Sequence, residues 1–193
     1  MLWHDHSTIP EGSHAPFAAS SYSWLNYDGD KALKYYISLM AKRRGTEFHE
    51  FAKYCIKLRM PLKLVRGDDV RCTVARYVND AIKYDMRPEQ LVFYSRNFFG
   101  TADAIMFDEQ KSLLRIHDLK TGLTPAKLDQ LLIYDALFCL EYNYNPNDIE
   151  HVVCIYQNND TLDDNPTGEM IRPIMDKIIT FDQIIENYLE ESE

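Results

Sequence analysis

The chain has no apolar run near the eighteen or so residues of a membrane span, so no membrane partner is expected. Its first residues, MLWHDHSTIPEGSH, offer neither a basic n-region nor an apolar h-region, so no signal peptide is expected. There is no CxxC pair: Cys55, Cys72, Cys139 and Cys154 are singletons far apart. That argues against a zinc ribbon and gives no disulfide framework; the four read as buried free thiols in a reducing cytoplasm. No GxxxxGK[ST] occurs, so no ATP motor is expected on this chain. Internal repeats and low-complexity linkers are also lacking.

What is present is an ordinary globular composition. The 193 residues are 46% apolar and 26% charged, enough for one domain with a real core. Residues 1–20, rich in Ser, Ala, Pro and Gly, read as an extended lead-in to a single domain spanning 1–193. His4, His6 and His14 in that lead-in read as a His-containing tail rather than a metal site.

The net charge of −9 discourages a nucleic-acid reading, but the charge is unevenly spread. Residues 31–76 carry twelve Lys/Arg against four Asp/Glu, a local net of +8, whereas residues 141–193 carry two against thirteen, a local net of −11. One basic and one acidic surface can therefore share a domain. The acidic C-terminal third either docks a partner, such as a recombination or replication protein, or keeps the chain soluble.

Periodicity divides the rest. Asp28 or Asp30 can cap a helix from about Lys31 to Lys42, and Gly45 reads as a break. In GTEFHEFAKYCIKLRM, Phe48, Phe51, Ala52, Cys55 and Leu58 recur at helical spacing, and Asp68 starts a third amphipathic segment. QLVFYS, FFGTADAIMF and SLLRIHDLK are short β-branched or aromatic runs, the last two joined by a turn at DEQK. Thr124 and Pro125 suit a helix start, with LDQLLIYDALFCLEY continuing it. HVVCIYQ reads as a buried strand, DDNPTG as a loop, and about Phe181 to Tyr188 as a last helix. Three helices, three strands, a helix, a strand and a helix give an α/β sheet with helices on its faces.

The chemistry gathers on two of those strands. Asp118 and Lys120 are two apart, so they share one strand face, and His117 should point the other way. Asp103 lies on the neighbouring strand of the hairpin, roughly opposite 116–118. Close carboxylates cannot both ionise cheaply, and a divalent cation such as magnesium or manganese relieves them. With a lysine beside it to meet developing negative charge, such a site suits phosphodiester hydrolysis. Alone, Asp118-x-Lys120 reads more readily as a cross-strand ion pair at a sheet end, because such triplets are common.

The wider pattern is more specific. GTEFH ending at His49, Gly100-Thr-Ala-Asp103, Asp118-Leu-Lys120 with TG after it, and Gln130-x-x-x-Tyr134 occur in that order. Together they resemble the PD-(D/E)xK nuclease superfamily in its RecB-like exonuclease branch, over roughly residues 40–140, in the compact stand-alone form of bacteriophage enzymes. The resemblance implies a restriction-endonuclease-like α/β core, a central mixed β-sheet flanked by helices. It implies metal ligation by His49, Asp103, Asp118 and the backbone carbonyl of Leu119, with Mg2+ or Mn2+ as cofactor. Asp103, Asp118 and Lys120 would be catalytic, and Gln130 and Tyr134 would touch DNA near the scissile phosphate. The i, i+4 spacing of the last two independently puts them on one helix face.

The expected activity is metal-dependent DNA exonuclease, leaving 5′-phosphate products, in phage DNA recombination, repair or processing in the host cytoplasm. The alternatives are a structure-specific endonuclease on the same site, or a non-catalytic binding module on a nuclease fold. Ala102 stands where the superfamily's name has proline, which is common in this branch. CRISPR-associated relatives hold an iron–sulfur cluster with one early and three late cysteines; no cysteine follows Cys154 here, so no cluster is expected. Lys42, Arg43 and Arg44 upstream of His49 are candidates for the phosphate backbone. Tyr22, Trp24 and Tyr27 are candidates for base stacking or for core packing.

Overall fold

A computed structural model describes residues 15–65, 67–122 and 124–192. They fall into two compact units, one ending at Arg44 and the other beginning at Gly45. His4, His6, His14 and most of the expected lead-in lie outside the described residues. No described helix is long and apolar enough to cross a membrane.

In the first unit a 3-10 helix, Ala19–Asn26, precedes the long helix α1, Gly29–Lys57, which runs on into the second unit. Asp28 caps α1, accepting from Lys31 N at 2.7 Å. Trp24 donates its indole N–H to Ala18 O and meets Phe17 edge-on, and Tyr27 meets Tyr35, while Tyr22 is exposed.

The second unit adds helix α2, Asp69–Lys83, capped by Asp68, and strands β1, Arg87–Phe93, β2, Phe99–Asp108, and β3, Leu113–Lys120. Helix α3, Asp129–Tyr142, crosses to β4, Glu150–Gln157; β5, Asp160–Asp164, and α4, Gly168–Ser192, follow. The sheet order is β1-β2-β3-β4-β5, antiparallel except for the β3–β4 pair. This is the expected mixed sheet flanked by helices.

Two apolar layers cover the sheet. On one face Ala52, Cys55 and Ile56 of α1 and Val74, Tyr77, Val78 and Ala81 of α2 pack on Leu119, Cys154 and Tyr156. On the other, α3 and the first half of α4 pack on Leu114, Ile116, Val153 and Ile155. Because β4 is covered on both faces, VVCIY within HVVCIYQ is continuously apolar instead of alternating. All four cysteines are buried and free.

The structure corrects four expectations. Gly45 does not break α1. A Cβ there would lie 2.9 Å from Thr121 Oγ1, so the glycine serves a close approach between the helix and the end of β3. Thr124 and Pro125 do not start α3, which begins at Asp129. Gln157 holds the backbone of that segment instead, donating to Gly122 O and Thr124 O and accepting from Ala126 N. Strand β5 was not anticipated, since its Asp residues disfavour strands. Asn158 and Asn159, at φ 52° and 58°, form the tight hairpin turn that pairs it with β4. Finally, α4 begins at Gly168 rather than near Phe181 and carries Pro173 inside it. The carbonyl that Pro173 leaves without a donor belongs to Glu169, an exposed residue in the first turn of the helix.

Candidate metal centre

Strand pairing creates an opening where the site residues sit. The β2–β3 ladder runs from Asp108↔Leu113 to Ala104↔His117 and stops there. Strand β2 continues paired with β1 to Phe99, and β3 continues paired with β4 to Lys120. One step past the last β2–β3 pair, Asp103 faces Asp118. Instead of a ladder bond, an Asp103 carboxylate oxygen accepts from Leu119 N at 2.9 Å.

Helix α1 brings His49 to the same carboxylate, Nδ1 lying 3.3 Å from Asp103 Oδ2. That hydrogen bond raises the His49 pKa above its ordinary 6.5; burial opposes it, and the charges of Asp103, Asp118 and Glu89 add to it. Among the described residues, His49, Glu89 and Asp103 form a group whose ligand atoms all lie within 4.8 Å of one another. Asp118 is not one of that group.

Glu89 is the residue that sequence reasoning missed. It lies on β1 between Pro88 and Gln90, which pair with Ala104 and Ala102, while Glu89 itself is skipped. Its φ of 52° is left-handed, a conformation costly for a residue with a Cβ. Such strain gathers at functional sites. Nothing in RPEQLVF distinguishes this glutamate from any other on a strand edge.

Asp118 is buried to 1% exposure on the face opposite His117. Lys120 Nζ donates to its Oδ1 at 3.0 Å, and the two therefore share a face as expected. Oδ2 lies 2.9 Å from the same ammonium, so the lysine sits across both carboxylate oxygens. Burial, and then the Asp103 charge, raise the Asp118 pKa, with Lys120 opposing.

Lys120 also donates to Gln130 Oε1 at 2.9 Å, and Gln130 Nε2 donates to Tyr134 OH at 2.8 Å. A continuous chain thus runs from Asp118 through Lys120 and Gln130 to Tyr134. Gly100 makes room for its end, since a Cβ there would lie 2.7 Å from the Tyr134 ring. On the other face His117 has its pKa lowered to about 3 by burial, with Arg115 adding to the effect, and packs against Tyr84 and Tyr156. It is a neutral core histidine.

One imidazole nitrogen and two carboxylates beside it, with the Asp118 carboxylate on the facing strand, are a donor set that suits a hard divalent cation. Lys42, Arg43 and Arg44 are exposed on the part of α1 that belongs to the first unit. No protein-family model matches the chain, and no curated protein matches it.

Proposed function

We propose that the chain is a divalent-metal-dependent deoxyribonuclease of the RecB-like PD-(D/E)xK type, acting as an exonuclease that leaves 5′-phosphate ends. The observation that supports this most is the convergence of His49, Glu89 and Asp103 at the end of the β2–β3 ladder, beside the Asp118–Lys120 pair. A structural ion pair accounts for Asp118 and Lys120 alone. It gives no reason to bring a histidine and two further carboxylates to the same place, one on a strained backbone.

His49, Glu89, Asp103 and Asp118, with the Leu119 carbonyl, would hold magnesium or manganese. A bound ion supplies positive charge for the scissile phosphate and acidifies water. Asp103 is already oriented by the Leu119 N–H and His49. Lys120 carries the ammonium that meets negative charge developing on the phosphate, and Gln130 and Asp118 hold it in place. Gln130 thereby acts first as a positioning residue for Lys120, and reaches DNA only through the face it shares with Tyr134. A recombination or replication protein on the acidic C-terminal third remains a proposal of the charge pattern.

Digestion of end-labelled linear DNA with magnesium or manganese, next to closed circular DNA, tests the reading. Linear DNA should be shortened from its ends, circles should survive, and Asp118→Ala and Lys120→Ala should both digest linear DNA far more slowly than wild type. Equal digestion by wild type and variants would sink the assignment, and cutting of circles would move it to an endonuclease.

A further inference from the structure

The last turns of α4 carry their apolar residues away from the core. Ile171, Met175 and Ile178 are buried, but Phe181, Ile184, Tyr188 and Leu189 are between 48% and 68% exposed. Their i, i+3, i+7, i+8 spacing makes them one stripe. The side of the helix that touches the protein there is polar. Asp182 Oδ1 accepts from Ser95 Oγ at 2.6 Å and from Asn97 Nδ2 at 2.9 Å, and Glu186 Oε1 accepts from Asn97 Nδ2 at 2.8 Å. Those bonds hold the roll of the helix, so its apolar side stays in water. Residues 181–193 contain five Asp/Glu and no Lys or Arg. With Asp182 and Glu186 turned inward, Glu190 and Glu191 are the acids that border the stripe, so an apolar and basic surface suits it.

The same compact unit carries such a surface. Phe51, Tyr54 and Leu58, at the same i, i+3, i+7 spacing, are 50% to 66% exposed at the end of α1. Met60 and Leu64, just beyond, are exposed too. Residues 51–67 contain five Lys/Arg and no Asp or Glu. The two stripes match in spacing and carry opposite charge: Glu190 and Glu191 lie along one and Lys53, Lys57 and Lys63 along the other, while Arg59 is taken up by Asp85 at 2.7 Å.

We propose that the chain associates head to tail with a second copy of itself, the acidic stripe of α4 on one copy seated on the basic stripe from Phe51 to Leu64 of the next. Two such helix stripes can interdigitate as ridges in grooves. Pairing α4 with α4 would set acid against acid, so the contact joins unlike surfaces, and every copy keeps one of each for a further neighbour. This inference is independent of the nuclease reading, because no measurement that tests it involves DNA.

Sedimentation of the full chain tests it. The wild-type mass should exceed the monomer at about 100 μM, grow with concentration and fall as salt screens the charges. Ile184→Glu and Tyr54→Glu should each be monomeric with unchanged circular dichroism and melting. Mixed in equal amounts, they should form a dimer and nothing larger, because one intact pair of surfaces remains. If either variant folds poorly, Lys53→Glu with Lys57→Glu takes its place, and adding Glu190→Lys with Glu191→Lys should restore assembly. A monomeric wild type overturns the proposal, including the case where the stripe captures vesicles or a basic protein instead. So does an oligomer that Ile184→Glu dissolves and Tyr54→Glu does not, or a mixture that stays monomeric.

Discussion

Gln130 holds Lys120: its amide oxygen accepts from the ammonium at 2.9 Å, and its amide nitrogen is tied to Tyr134 OH at 2.8 Å. An unanchored lysine side chain samples many rotamers, and Gln130 selects one of them. Gln130→Ala should lower kcat on linear DNA by about 10²-fold, the usual cost of a misplaced catalytic group, with little change in KM or melting. Lys120→Ala should lower it by about 10³-fold. A Gln130→Ala variant that lost affinity but kept kcat would mean that the glutamine only grips DNA.

Glu89 is strained where it stands, and glycine tolerates its φ of 52°. Glu89→Gly should therefore melt no lower than wild type, with about 1 kcal/mol gained from relief of the left-handed backbone. Titration calorimetry should at the same time show manganese binding weakened by about tenfold or more. Unchanged binding would remove Glu89 from the metal site.

The Gly100 position is reserved by the Tyr134 ring, 2.7 Å from where a Cβ would sit. Gly100→Ala should cost about 1–3 kcal/mol in denaturant unfolding, the range for overpacking. In a Tyr134→Ala background the same change should cost almost nothing, since the obstructing ring is gone. An undiminished cost in that background would place the obstruction elsewhere.

His151 lies with Nδ1 2.8 Å from Asp135 Oδ2 and Nε2 2.7 Å from Pro146 O; a carbonyl can only accept, so Nε2 carries a proton. Burial pulls its pKa down, but the Asp135 hydrogen bond and charge, with the Pro146 carbonyl, outweigh this and raise it above 6.5. Because the folded value is the higher one, the stabilisation is full below pH 6.5 and is lost as pH rises through the folded pKa. The urea midpoint should fall as pH rises above 6.5 in the wild type, and fall less in Asp135→Asn/His151→Gln. Removing His151 alone leaves a buried carboxylate unpaired and should cost about 3–5 kcal/mol. An equal pH slope in the double variant would trace the effect to other groups.

Local pattern made much of the fold legible. The period-two runs at β2 and β3, the turn at DEQK, the continuous apolar β4 and the amphipathic α2 all reflect which side chains must leave water, and this is written in their order. Where a distant partner overrode the local signal, the sequence misled. Thr121 makes Gly45 a contact rather than a break, and Gln157 occupies the backbone that Thr124 and Pro125 would have turned into helix. Asn158-Asn159 did carry a hairpin signal, masked by the acidic strand after it.

The candidate site divides the same way. Asp118 and Lys120 share a face, and His117 the opposite one, because strand geometry alternates side chains; sequence spacing is sufficient for that. The meeting of His49 with Asp103, the place of Gln130 under Lys120 and the whole contribution of Glu89 come from elements far apart in the chain. They depend on where the β2–β3 ladder stops and on one left-handed residue in β1. Spacing along a chain specifies which side chains share an element; only the packing of elements decides which atoms come within a few ångströms of each other.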